Sequence, residues 1–115
     1  AFNPVPVREI HDTGATITLS SDWDVSDLNP FVGMQNALAR EQQSISLEVA
    51  IRAYTLNGAY TLRQEDVTGS LEPGKYADLI VIDQNLFDIS ISRISKTTVL
   101  LTMLGGEIVF EHPDF

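Results

Sequence analysis

An α+β arrangement is the fold class this 115-residue sequence predicts, and three observations predict it. Apolar residues recur at helical spacing between residues 30 and 62. That pattern stops near residues 64–69. Beyond it come a continuous apolar run, Leu79-Ile80-Val81-Ile82, and two β-rich runs joined by Gly105-Gly106. The shift divides the chain into a helical half, residues 1–66, and a β half, residues 67–115, expected to form one compact unit.

Taken in order, Pro4 and Pro6 fix backbone angles and remove donors, so the opening is expected to be extended and irregular. Residues 7–12 suit a short helix that stops before Gly14. In residues 15–20, Ala15, Ile17 and Leu19 alternate with Thr16, Thr18 and Ser20, the period-two signature of a strand, and Asp22 continues the polar parity. Asn29-Pro30 reads as an N-cap and first-turn proline ahead of a stripe of Phe31, Met34, Ala37 and Leu38, with the helix fading near Gln43. Ser46 is a second N-cap. Leu47, Ala50, Ile51 and Tyr54 form one stripe behind it and Val49, Ala53, Leu56 and Tyr60 another, which predicts burial on more than one side. Glu48 and Arg52 stand in the favourable i, i+4 order, worth about 0.3 kcal/mol.

Asn57-Gly58 is a hairpin-turn dipeptide in isolation, but its apolar flanks keep helical spacing, so a helix is expected to run through or kink there. Pro73-Gly74 suits a type II turn leading into a strand at residues 77–83, expected to be covered on both faces. Residues 97–104 and 107–111 are expected to form a hairpin through Gly105-Gly106. Leu79, Val81, Val99, Leu101, Ile108 and Phe110 are then expected to pack against the helix of residues 46–62.

Seven Lys plus Arg against sixteen Asp plus Glu give a net charge of −9, and no basic cluster occurs. Phosphate backbones and anionic membrane surfaces are therefore not expected partners. The 43% hydrophobic content argues against disorder. Zero cysteines exclude a disulfide framework, a thiolate metal site and a thiol nucleophile. No apolar run approaches the roughly 20 residues that span a bilayer, so the chain is expected to be soluble, cytoplasmic or exported, with the compartment open.

A carboxylate directly after a strand can bind a metal or take a proton, and Asp22 occupies that place; the bland role for Asp22 or Asp24 is to cap the following turn. Trp23, beside Asp22, is the candidate substrate-side aromatic, whereas Tyr54 and Tyr60 at helical spacing read as core. His11 precedes the strand and reads as a surface or structural residue. His112 lies in a tail expected to fray. Glu72 and Lys75 read as a solvated loop rather than an ion pair. Gly105-Gly106 supplies turn geometry.

The motifs Gly14-Ala15 leading to Ser21-Asp22-Trp23, then Leu47-Glu48-Val49-Ala50-Ile51-Arg52-Ala53-Tyr54-Thr55-Leu56-Asn57, then Gly69-Ser70-Leu71-Glu72-Pro73-Gly74-Lys75-Tyr76-Ala77-Asp78-Leu79-Ile80-Val81-Ile82-Asp83, and Leu104-Gly105-Gly106-Glu107-Ile108-Val109 are specific as an ordered set. Together they resemble the C-terminal part of metal-dependent amidohydrolases, in the amidohydrolase-3 branch that includes N-substituted formamide deformylases and exoenzyme regulatory proteins. The resemblance implies one strand and helices from the end of a (β/α)8 barrel within residues 1–66, and C-terminal strands of a β-sandwich within residues 67–115. The full barrel needs about 200 residues or more and is not present.

The resemblance makes residues 15–21 the eighth barrel strand. It makes Asp22 the catalytic aspartate, which binds the metal and exchanges a proton with the attacking water. The family has Pro where this chain has Asp24, which implies a different loop shape. Zinc or a similar divalent metal is implied for the parent enzyme, as is a small amide-type substrate. The family's His-x-His, its bridging Lys or Glu and its later barrel histidines have no counterparts here. A catalytic zinc takes about three protein ligands, so none is expected to bind this chain alone.

Two functions follow as expectations. The first is a C-terminal fragment of an amidohydrolase acting on carbon–nitrogen bonds other than peptide bonds, inactive by itself. The alternative is a non-catalytic regulatory or interaction module that self-associates, as a homodimer, through unpaired strand edges.

Overall fold

The computed structural model describes residues 5–115; Pro4 lies outside the described residues. Helix α1, Val7–Asp12, ends at Thr13 and at Gly14, whose φ of 85° provides the expected left-handed stop. Pro6 brings no capping side chain to the start of α1. The cap comes from across the fold: Gln43 Oε1 accepts from the N–H groups of Arg8 at 3.1 Å and Glu9 at 3.3 Å.

Helix α2, Pro30–Leu38, begins as its sequence predicts, with Asn29 Oδ1 accepting from Phe31 N–H at 2.9 Å and Pro30 in the first turn. It stops earlier than Gln43. Residues Glu41–Gln43 form a separate 3-10 turn, entered through Glu41 at a φ of 50°. Helix α3, Leu47–Tyr54, is capped by Ser46, whose Oγ accepts from Val49 N–H at 3.2 Å. The kink falls at Thr55 (φ −123°, ψ −91°), and α4, Leu56–Thr61, carries Asn57-Gly58 within it, as the apolar spacing predicts.

Three antiparallel strands follow in the order β1-β2-β3: β1 Leu79–Ile82, β2 Val99–Leu104 and β3 Glu107–Glu111. The β2–β3 hairpin turns through Gly105 and Gly106, both at positive φ, as expected. Two bulges interrupt the ladders. One leaves Leu100 unmatched between Val81↔Leu101 and Ile82↔Val99, and the other leaves Val109 unmatched between Thr102↔Phe110 and Met103↔Ile108.

The fourth expected strand is a correction. Residues 15–20 form neither helix nor strand and pair with no strand among the described residues. Their hydrogen bonds go to a helix corner instead: Leu19 N–H donates to Ala53 O at 3.2 Å, and Asn57 Nδ2 donates to Ile17 O at 3.0 Å.

The core also differs from the expected sheet-on-helix packing. Its buried members are Val7, Phe31, Met34, Ala37, Ile45, Ala50, Leu86 and Ile94, with Ile82 and Val99 packed against them. Ile94 comes from the 3-10 segment Ile91–Lys96 between β1 and β2. Gln35 on α2 holds that segment by accepting from Ser95 N–H at 2.8 Å. In the sheet Leu101 is buried, but Ile108 and Phe110 are 55% and 46% exposed. β1 is not covered on both faces either, since Ile80 is 48% exposed. The apolar run was long enough for a doubly covered strand, but a three-stranded sheet whose helices lie beside it buries little of either face.

Candidate functional site

The candidate site begins where residues 15–20 end. Ile17 and Leu19 turn toward the core and Thr16, Thr18 and Ser20 toward solvent, so the alternation read from the sequence holds over residues 16–20 even without a ladder, whereas Ala15, expected on the inner face, is exposed. Asn57 and the Ala53 carbonyl grip the odd-numbered backbone and fix where the next residues emerge. Asn57 is a residue the sequence reading missed in this role, because its Asn-Gly pairing drew attention to turn geometry.

Asp22 then adopts a φ of 49°, a left-handed conformation that Asp tolerates better than most residues. Its carbonyl accepts from Val25 N–H at 2.7 Å, and Ser21 O accepts from Ser26 N–H at 3.1 Å, closing a compact loop. The Trp23–Asp24 peptide within it is cis. The loop delivers the chain to α2 through two consecutive caps: Asp27 Oδ1 accepts from Asn29 N–H at 2.8 Å, and Asn29 caps Phe31. The capping role weighed for Asp22 or Asp24 thus belongs to Asp27.

Asp22, Trp23 and Asp24 all lie at the surface, Trp23 being 68% exposed. No hydrogen bond or ion pair engages the Asp22 carboxylate among the described residues, and no group of three His, Asp or Glu side chains there could hold a metal ion. His11 lies in α1 with Nδ1 3.5 Å from Asp12 Oδ1. Asp12 in turn accepts from Arg8 Nε at 3.0 Å, and that guanidinium holds its carboxyl below the usual range. His112 is not a frayed end. Its N–H donates to Leu100 O at 2.8 Å and its Nδ1 accepts from Asp114 N–H at 3.1 Å, extending the hairpin beyond β3. Neither histidine joins Asp22 in a ligating group. The residues described here therefore do not by themselves fit the family's metal centre.

A cleft of about 400 Å³ adjoins this loop, bordered by Leu19, Ser20, Ser21, Ser26, Asp27 and Tyr54 among others. Tyr54 is half-buried, and burial raises its hydroxyl pKa. Its hydroxyl lies against Gly33, where a Cβ would collide with it, so the glycine lets α2 approach α3. Tyr54 is core-facing, as read, while Tyr60 is 58% exposed. A larger cleft, about 580 Å³, runs between the α3–α4 corner and β1 and contains no residue of the Asp22 loop.

The loop of residues 70–75 departs from the solvated reading. Lys75 is only 13% exposed in its side chain, and its Nζ reaches Ser70 Oγ at 2.8 Å and Glu72 Oε2 at 3.2 Å. Ser70 also donates to Glu72, and these contacts, the Ser70 bond first, lower the Glu72 pKa. The cluster ties the Pro73-Gly74 turn together.

Comparison with known proteins fits this geometry. The N-substituted formamide deformylase of Arthrobacter pascens is 30% identical over 93% of this chain, which corresponds to 21% of that protein. An imidazolonepropionase of Porphyromonas gingivalis is 33% identical over 93% of the chain and 26% of its own length. The crystal structure of an amidohydrolase from Thermotoga maritima superposes with a TM-score of 0.77 at 30% identity, over 92% of this chain and 26% of that one. The chain thus spans about a quarter of the length of these relatives. A model of the amidohydrolase family matches residues 3–110, nearly the whole sequence, and with the ordered motifs and the shared fold this establishes that the chain belongs to the amidohydrolase family.

Proposed function

We propose that this chain is the C-terminal portion of an amidohydrolase that hydrolyses carbon–nitrogen bonds other than peptide bonds in a small amide-type substrate. In this reading residues 1–66 end a (β/α)8 barrel and residues 67–115 supply strands of a sandwich. Asp22 is the one catalytic carboxylate the chain contributes, and Trp23 borders the substrate. The observation that carries the reading is the Asp22 loop: an exposed carboxylate in a left-handed backbone, presented at the end of a segment anchored from behind by Asn57 and Ala53. A single carboxylate is one donor where a catalytic zinc takes about three, so the chain alone is inactive.

Two measurements test this. Calorimetric titration of the chain with zinc is expected to give no stoichiometric binding. A chimera of the Thermotoga amidohydrolase, carrying residues 5–115 in place of its matching stretch, is expected to take up zinc and hydrolyse amides, and to lose both with Asp22→Asn. Metal content and turnover unchanged by Asp22→Asn would overturn the assignment.

A further inference from the structure

We propose that Asn57 is a conformationally gated deamidation site: the closed α3–α4 corner silences it, and its conversion releases the segment that carries Asp22. Asn57-Gly58 is the one Asn-Gly dipeptide in the chain. Glycine has no Cβ, so it least obstructs attack by its own backbone nitrogen on the preceding side chain. In that reaction Gly58 N bonds to Asn57 Cγ while the Cγ–Nδ2 bond breaks, and Nδ2 leaves as ammonia with the proton of Gly58 N. Solvent water then opens the cyclic imide. Breaking the bond to the main-chain carbonyl gives isoaspartate, and breaking the bond to the side-chain carbonyl gives aspartate.

Ring closure requires the Asn57 backbone to leave its helical conformation, and two contacts oppose that. Asn57 lies inside α4, where its carbonyl accepts from Thr61 Oγ1 at 3.0 Å. Its Nδ2 donates to Ile17 O at 3.0 Å, and Nδ2 is the leaving group, so this bond must break first. The nucleophile is restrained less. The break at Thr55 takes from Gly58 N–H the Tyr54 carbonyl it would reach in a continuous helix, so no helical bond holds it. Thr55 brings no cap either, since its hydroxyl donates to Ile51 O at 2.7 Å. A helix of six residues with an uncapped first turn opens readily. Protection therefore rests on the Asn57 side chain and on α4 staying closed, which makes the site gated and not inert.

The same side chain ties residues 15–20 to the corner, together with the bond from Leu19 N–H to Ala53 O at 3.2 Å. That second bond also follows from the break, because in a continuous helix Ala53 O would accept from Asn57 N–H. Aspartate at position 57 has no donor, so Ile17 O loses its partner and meets a carboxylate oxygen. Isoaspartate adds a main-chain methylene within α4 and interrupts its hydrogen bonds. Either product frees the segment behind Asp22. Every contact involved is already formed between residues 17 and 61, and no open edge or cleft is needed. Trp23 is the only tryptophan and stands next to Asp22, so its emission reports on the loop whatever the catalytic role of Asp22.

The test is to age the intact chain at mildly alkaline pH and follow position 57 by peptide mass spectrometry, in buffer and in unfolding guanidinium. Deamidation in buffer is expected to be at least about tenfold slower than in the unfolded chain. It is expected to quicken in step with exchange of the Ala59 and Leu62 amides, which bond to Thr55 O and Gly58 O, as low guanidinium concentrations open α4. In the deamidated fraction Leu19 N–H is expected to exchange at least about tenfold faster and Trp23 emission to change, while the amides of the β2–β3 hairpin keep their rates. Gly58→Ala, whose Cβ meets open space, is expected to suppress both the modification and the change in emission over the same period. Asn57→Asp is expected to show the fast Leu19 exchange from the start; should it not fold, the aged chain and Gly58→Ala still decide. Equal rates in buffer and in guanidinium overturn the proposal. So does a deamidated chain whose Leu19 exchange and Trp23 emission match the fresh one, or an absence of conversion in buffer while the α4 amides exchange.

Discussion

Gly69 and Gly74 share a left-handed backbone, with φ of 92° and 94°, but not an environment. A Cβ on Gly69 would stand 2.6 Å from Ala59 Cβ and 3.1 Å from Leu56 Cα, whereas one on Gly74 meets open space. Gly74→Ala is therefore expected to cost about 1 kcal/mol, the backbone strain alone. Gly69→Ala adds overpacking against helix α4 and is expected to cost about 3 kcal/mol, read from paired urea titrations. Equal costs would mean that the α4 contact yields freely. Asp78 offers a second test at this scale. It accepts from Thr68 Oγ1 at 2.7 Å and Gly105 N–H at 2.8 Å, and these bonds, the Thr68 one first, lower its pKa below the ordinary 3.8. A depressed carboxylate contributes stability that is present above its unfolded pKa and lost as pH falls through the folded one. The chain is thus expected to lose stability below about pH 3.8, and Asp78→Asn to reduce the slope of stability against pH in that window, measured by urea midpoints at successive pH values. An unaltered slope would assign the acid limb to other carboxylates, Asp12 and Glu72 first.

Among the elements, the helix starts were legible because their chemistry is local. Asn29-Pro30 and Ser46 carry their own caps within three residues of the N–H groups they serve. Helix α1 was legible at both ends, as residues 7–12, but its cap was not: that comes from Gln43, and no periodicity announces a cap lying 34 and 35 residues away. Gln43→Ala leaves the Arg8 and Glu9 donors without Oε1 and is expected to cost about 1–2 kcal/mol, with faster amide exchange confined to α1. Exchange that quickened throughout the molecule would instead make α1 part of the cooperative core. The same distinction between local and distant causes explains residues 15–20. Alternation told which side chains face inward, but a ladder needs a second strand, and a one-chain pattern cannot supply one. Asp22 follows that segment directly, while its left-handed φ and the cap provided by Asp27 depend on how the loop closes onto α2.

For the whole molecule, the telling feature is that the core lies between the helices and the connection from β1 to β2, not under the sheet. Ile94 is 1% exposed and is the one large side chain among the described residues that is fully buried, although it sits in a 3-10 segment without a periodic apolar signature. The reading that gave the core to Ile108 and Phe110 followed hydrophobicity at alternating positions. It failed because a strand is buried only if something covers it, and the helices pack around α2 and Ile94 instead. Acidic surplus compounds this arrangement: a net charge of −9 on 115 residues opposes compaction, so stability rests heavily on the few side chains that are fully enclosed. Ile94→Ala removes a buried side chain at the junction of the two halves and is expected to cost about 3–4 kcal/mol, a large share of what a domain of this size possesses. Ile108→Ala, at a residue 55% exposed, is expected to stay within about 0.5 kcal/mol. Chemical denaturation of both variants decides between the two cores. Should Ile108→Ala prove the costlier, the sheet face would be buried in solution, and the side chains now exposed on β3 would belong to an interior.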